Sequence, residues 1–207
     1  MKIQEAYNQW SATYDSDLNL TRDLDQTATA NALANLSFET ILEIGCGTGK
    51  NTSLFSQIGK RVLAIDFSQG MIKKAKEKLV SKNIFFCAAD VMEMWPCRSG
   101  SVGLVTCNLV LEHIEDLSSV FSEAYRSLIK GGYLFVCELH PFRQYRGKKA
   151  RFEGAVGTIE INAFVHHLSE FFDVAQGCGF AVTQFREWWH DEDASQLPRL
   201  VSIMFQK

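Results

Sequence analysis

The loop Gly45-Cys46-Gly47-Thr48-Gly49 follows the apolar run Thr40-Ile41-Leu42-Glu43-Ile44, and three acids stand at matching places along the chain. Glu43 lies just before the loop, Asp66 follows the run Arg61-Val62-Leu63-Ala64-Ile65, and Asp90 follows Ile84-Phe85-Phe86-Cys87-Ala88. A glycine loop between a buried strand and a helix lets backbone approach a ligand closely and aims free N–H groups at it. An acid ending the second strand can accept hydrogen bonds from two ribose hydroxyls. Phe67 and Met71, next in sequence, offer apolar surface for an adenine ring. Each feature alone has a plainer reading, a tight turn for the loop and a helix cap for Asp66. Together they describe a nucleotide-type pocket.

These side chains need elements to position them. Ile3, Tyr7, Trp10 and Tyr14 recur at the spacing of one helical face, and Leu24 through Leu36 predicts a second, alanine-rich helix. The strand at 40–44, the glycine loop, a helix reaching Ile58, a stop at Gly59 and the strand at 61–65 make a βαβ unit. Ser68 can cap a helix carrying Met71, Ile72, Ala75 and Leu79 on one face. Val102 to Cys107 predicts a fourth strand. Asp116 can cap a helix with Leu117, Val120, Phe121, Ala124, Tyr125 and Leu128 in helical register, closed by Gly131-Gly132. Tyr133 to Leu139 follows as a fifth strand, Ser169 to Gly177 as another helix, and Phe180-Ala181-Val182 with Leu200 to Phe205 as a hairpin pair. The alternation predicts an α/β fold: a Rossmann-like seven-stranded, mostly parallel sheet with helices on both faces and an antiparallel C-terminal edge hairpin. All three acids then fall at the carboxyl ends of parallel strands, where open sheets bind ligands.

Composition sets the outer limits. The 207 residues suit one domain, 1–207, with no repeat, low-complexity stretch or linker. A hydrophobic share of 46% and a charged share of 22% are those of a globular chain, and no stretch reaches the ~20 apolar residues of a membrane span. The start, Met1-Lys2-Ile3-Gln4-Glu5-Ala6, lacks the apolar run of a secretory signal, so the cytoplasm is the expected compartment. Six scattered cysteines without a CxxC pair indicate neither zinc nor a disulfide framework. A net charge of −3 argues against nucleic acid or a membrane surface as partner.

With these motifs in order, the sequence resembles the class I S-adenosylmethionine-dependent methyltransferases, in particular the branch of ubiquinone and menaquinone biosynthesis methyltransferases. The carriers are ILEIGCGTGKNT (Ile41 to Thr52), VLAIDFS (Val62 to Ser68), AADVMEMWP (Ala88 to Pro96), VTCNLVLEHIED (Val105 to Asp116) and LIKGGYLFV (Leu128 to Val136). The resemblance covers Tyr7 to Leu139 well and the remainder in outline. It implies S-adenosylmethionine as cofactor. Gly45, Cys46, Gly47 and Gly49 would form the cradle, with the glycines making room for the methionine part, and Glu43 would support it. Asp66 would hold the ribose, Asp90 the adenine amino group, the Val91 N–H a ring nitrogen, and the Asn108 carbonyl the methionine amine. Phe67 and Met71 would flank the adenine. Tyr14 and Trp10, in the resembling WSATYD segment, would belong to a helical lid spanning 1–38.

Methyl transfer by in-line displacement needs the acceptor positioned and water excluded, and a hydroxyl, acidic carbon or ammonium nucleophile also needs a base. His140, after strand five in Glu138-Leu139-His140-Pro141, is one candidate catalytic base, and His167, before the Ser169 helix, is another. Either could instead serve loop structure. His113 resembles a histidine common at this place in the family, where it would shape the loop near the cofactor. The segment 141–162 reads as a substrate-side insertion, in which Arg143, Arg146, Lys148, Lys149 and Arg151 alternate with Phe142, Tyr145 and Phe152. That pattern suits an anionic or aromatic small-molecule acceptor, or simply a solvated basic loop. Two other classes share part of the pattern: an S-adenosylmethionine-binding protein without methyl transfer, and a nicotinamide-dependent dehydrogenase. The dehydrogenase fingerprint is GxGxxG, whereas this loop reads GxGxG.

Overall fold

The structure is a computed structural model that describes residues 3–154, 157–193 and 196–207. The start of the chain at Met1-Lys2 and residues 155–156 of the proposed insertion lie outside the described residues. Among these, the order is α1 (Ile3–Trp10), α2 (Leu20–Ala32), β1 (Phe38–Ile44), α3 (Thr52–Ile58), β2 (Gly59–Asp66), α4 (Gln69–Lys78), β3 (Ile84–Ala88) and β4 (Val102–Asn108). It continues with α5 (Ser118–Ser127), β5 (Leu128–Leu139), α6 (Pro141–Tyr145), β6 (Arg151–Gly154), β7 (Gly157–Glu160), α7 (Leu168–Cys178), β8 (Ala181–Trp188) and β9 (Leu200–Gln206).

Seven strands form one sheet in the order β3-β2-β1-β4-β5-β9-β8. β1 to β5 pair in parallel, and β9 runs antiparallel to both β5 and β8. The expected C-terminal pair is present, but its last strand slots between β5 and β8 and does not form the edge. Successive strand residues bury alternately on the two faces. Leu42, Ile44, Val105 and Cys107 meet Phe121, Ala124, Phe171 and Ala175 of α5 and α7. Ile41, Val62, Leu104 and Phe135 meet Leu24 and Ala28 of α2, Phe55 of α3 and Ile72 of α4. Both faces are covered, which explains why the central strands read as continuous apolar runs.

Several element boundaries differ from the sequence reading. α1 stops at Trp10, and Tyr14 sits in the following turn with its N–H on Trp10 O at 2.9 Å. α2 starts at Leu20 because the Asn19 side chain accepts from the N–H groups of Thr21 (3.0 Å) and Arg22 (3.1 Å). Gly131 and Gly132 do not close α5, which ends at Ser127; they lie inside a long β5, where Gly131 takes a φ of 77°. The segment 141–162 is a short helix followed by the antiparallel pair β6 and β7. Phe152 of this pair and Ile161, just past its end, bury with Ala6 and Trp10 of α1 in a small third cluster.

Candidate active site

The carboxyl ends of β1, β2 and β4 lie side by side, because β1 pairs in register with both neighbours. The chain leaves β1 through a loop in which Gly45, Gly47 and Gly49 hold φ values of 69°, 53° and 83°, a region that L side chains enter only with strain. The three glycines have different neighbours. A Cβ on Gly45 would stand 2.2 Å from Val110 Cγ2, and one on Gly49 would stand 2.7 Å from Leu79 Cδ1 of the α4 end. A Cβ on Gly47 would meet nothing within 4 Å. Cys46 fastens the loop to β2 through its N–H on Ile65 O, at 2.9 Å.

Asp66 ends β2 and is buried, with Oδ2 accepting from Gly47 N–H and Oδ1 from Ser68 N–H, both at 2.8 Å. Burial pushes its carboxyl up to about 6, and the two N–H donors pull against that shift. Glu43 is buried beside it and accepts from Thr52 Oγ1 at 2.5 Å; burial takes it to about 8. The turn after β4 is held by Glu138, whose Oε1 accepts from the N–H groups of Val110 (2.9 Å) and Leu111 (3.0 Å). Leu109 in this turn holds a φ of 56°, a strained position at the site.

Loop, acids and turn enclose a cavity of about 1180 Å³, its open mouth included. Of the residues read from sequence, Tyr14, Glu43, Gly45, Cys46, Gly47, Asp66, Phe67, Met71, Asp90, Val91 and Asn108 all line it. Gly49 does not; it turns away to pack on α4, which is the physical reason it must be glycine. Trp10 likewise stays out of the cavity and stacks on Phe152, ring centroids 5.1 Å apart and planes at 12°. The basic loop residue Arg143 turns to Asp193, at 2.9 Å, and lies outside the cavity.

The two histidines expected to act as bases require correction. His140 is fully buried behind the sheet edge: Nδ1 accepts from Phe142 N–H at 3.2 Å, capping α6, and Nε2 lies 3.0 Å from Glu187 Oε1 of β8. His167 is exposed, with Nδ1 2.6 Å from Tyr145 Oη. Neither lines the cavity. The cavity instead holds His113, whose Nε2 is 2.7 Å from Tyr7 Oη and whose Nδ1 is 3.2 Å from Asn162 O. It also takes in Asp25 of α2, which the sequence reading passed over. Asp25 accepts from Asn108 Nδ2 and from Asn51 Nδ2, both at 2.7 Å. No local spacing connects Asp25 to Asn108, and the polar pattern of α2 was the single available signal.

Comparison with known proteins bears directly on this pocket. A family described as "Methyltransferase domain" matches residues 42–136, which run from β1 into β5 and include the loop and all three acids. Over these residues, a little under half of its length, the chain matches a methyltransferase domain. It is 32% identical over 151 residues to the demethylmenaquinone methyltransferase of Lactococcus lactis, covering 68% of this chain and 60% of that protein. It is 30% identical over 137 residues to the malonyl-[acyl-carrier protein] O-methyltransferase of Yersinia pestis, covering 66% of this chain and 50% of that one. The chain thus spans about half of the length of such relatives. Among solved structures, the N-methyltransferase NodS of Bradyrhizobium japonicum in complex with S-adenosyl-L-homocysteine matches the whole chain with a TM-score of 0.75 at 16% identity, which shows a shared fold.

The lining of the pocket is chemically suited to a nucleoside that carries an ammonium group, such as S-adenosylmethionine. The side-chain oxygens Oδ1 of Asn51 and Asn108 are buried without a donor, on the side chains that flank Asp25. Buried acceptors left unpaired are costly, and an ammonium group would satisfy them. At the other end, the open space over Gly47 is where a ligand can meet backbone at close range.

Proposed function

We propose that this chain transfers the methyl group of S-adenosylmethionine to a small-molecule acceptor by in-line displacement. The observation that carries the reading is the Asp66 carboxylate, buried at the end of β2 and bonded to Gly47 N–H inside the cavity that the glycine loop borders. In this reading Asp66 holds the ribose hydroxyls, and Asp90 and Val91 meet the adenine between Phe67 and Met71. Asp25, Asn51 and Asn108 take the methionine ammonium. When bound, the nucleoside supplies a methyl group made electrophilic by a sulfonium. The protein's own contribution is to position and to exclude water, which can account for about 7–11 kcal/mol of a barrier.

α1 supplies the cover. Asn8 Oδ1 accepts from Ser68 Oγ (2.7 Å) and Gly70 N–H (3.0 Å), and Gln4 Nε2 donates to Phe67 O at 2.7 Å, so α1 is pinned across the start of α4. We read α1, the first part of the expected 1–38 lid, as the cover and 141–162 as the segment that braces it, within one methyltransferase domain over 1–207, since α2 packs on the sheet. The relatives' names point to small or carrier-linked acceptors, which supports a small molecule here. All six cysteines are free, which supports a reducing compartment such as the cytoplasm.

Calorimetric titration with S-adenosylmethionine, S-adenosylhomocysteine and NADH tests the reading. Both sulfur nucleosides bind and NADH does not, and Asp66→Ala weakens binding by about 10- to 100-fold, the worth of a charge-assisted hydrogen bond. Failure of both nucleosides to bind, or binding of NADH in their place, would overturn it.

A further inference from the structure

Resting on the methyl-transfer reading, we infer that Tyr7 and His113 form the proton-accepting pair of this site and that the acceptor is an aromatic hydroxyl. The geometry sets the direction of the hydrogen bonds. His113 Nδ1 faces a carbonyl, Asn162 O at 3.2 Å, and a carbonyl can only accept. Nδ1 therefore carries the ring proton, Nε2 presents its lone pair, and Tyr7 O–H donates to it across 2.7 Å. The Tyr7 oxygen keeps its own lone pairs for a proton arriving from the cavity, which both residues line. Burial lowers the basicity of His113, so the ring is neutral and ready to accept at neutral pH. Burial also raises the Tyr7 phenol well above its ordinary range, helped by Tyr14, Glu112, Asp66 and Glu138, so Tyr7 gives up its proton only as it receives another.

The step balances as follows. The acceptor oxygen forms its bond to the methyl carbon while the carbon–sulfur bond breaks, its electron pair remaining on sulfur. The hydroxyl proton passes to Tyr7 Oη, and the Tyr7 proton passes to His113 Nε2. The imidazolium so formed has the Glu112 carboxyl close by, with Oε1 at 3.8 Å. Glu112 is buried and its Oε2 has no partner, so its carboxyl is placed to balance the new positive charge. The proton then leaves to solvent.

The surroundings select the acceptor. Ile3 and Ile114 supply apolar walls, and Tyr7 lies 6.5 Å from Tyr14 between ring centroids, a setting for a flat ring. The two cations that line the cavity are engaged elsewhere: Arg22 donates to Tyr14 O and Asp17 O, and Lys50 pairs with Asp23. A carboxylate acceptor would bring no proton and would enter a cavity lined by Asp25, Glu43, Asp66 and Asp90 with no free cation among the described residues that line it to balance it.

A series of ring-substituted phenols of graded acidity, with benzoate alongside, tests this on the wild type, Tyr7→Phe and His113→Gln. The wild type methylates the phenols in preference to benzoate. Both variants still bind S-adenosylmethionine and lose about 10²–10⁴-fold in rate on the least acidic phenols, the ordinary worth of a general base, with the deficit shrinking as the phenol becomes more acidic. Nitrogen NMR of labelled histidine shows His113 protonated at Nδ1. A deficit that is uniform along the series, no deficit at all, methylation of benzoate alone, or a proton on His113 Nε2 would each overturn the inference while leaving nucleoside binding intact. Loss of nucleoside binding in the wild type would instead bring down the methyl-transfer reading itself, and this inference with it.

Discussion

At the level of single residues, Gly45 and Gly47 separate two costs that a glycine motif usually merges. Both hold positive φ, but only Gly45 is crowded, by Val110. Gly45→Ala is expected to lose about 2–4 kcal/mol in urea unfolding, from backbone strain plus overpacking, and Gly47→Ala about 1–2 kcal/mol from strain alone. Equal losses would mean that Val110 moves aside freely. Glu112 offers a second test, through pH. Its folded carboxyl is raised from 4.5 to about 7, so its contribution is fully present below 4.5 and is lost as pH rises toward 7. Glu112→Gln is therefore expected to gain on the wild type across that window, by on the order of 1–3 kcal/mol, in urea midpoints taken below and above it. Glu43, Asp66 and Asp90 were legible because each lies at or close to the end of a strand, whereas Asp25 of α2 was not. Tyr7 and His113 were not, since 106 positions separate them and only the packing of α1 brings them together. His140 was misread for the opposite reason: its place beyond β5 is right, but its ring points to Glu187 on β8.

At the level of elements, the seating of α1 depends on a stack that belongs to no part of the main core. Trp10 and Phe152 join α1 to the β6–β7 pair. Trp10→Ala is expected to speed amide exchange in α1 and to weaken S-adenosylmethionine binding, while exchange in α2, β1, β2, β4 and β5 stays as in the wild type. Protection lost evenly across the sheet would show instead that α1 is part of the core's cooperative unit. The central strands were readable in sequence because two covered faces demand unbroken apolar runs. The β6–β7 pair was not: Arg151 to Glu160 alternates too weakly to stand apart from a charged loop, and its apolar partner lies far away on α1. Gly131-Gly132 misled for a related reason, since glycine that ends a helix and glycine within an irregular stretch of strand look alike without the partner strand.

For the whole molecule, a ligand that binds the folded form alone adds stability by mass action. At a concentration a hundred times its Kd, S-adenosylmethionine is expected to add about 2.7 kcal/mol and to raise Tm accordingly, with the rise lost in Asp66→Ala. An unchanged Tm in the wild type would contradict binding to the folded state. The way α1 is fastened has a kinetic corollary. Because the helix is tied at one side to Ser68 and Gly70 and at the other to Phe152, a nucleoside beneath it exchanges with solvent only when one of those attachments lets go. Turnover is then expected to be paced by the rate at which α1 lifts, and to slow as the viscosity of the medium is raised.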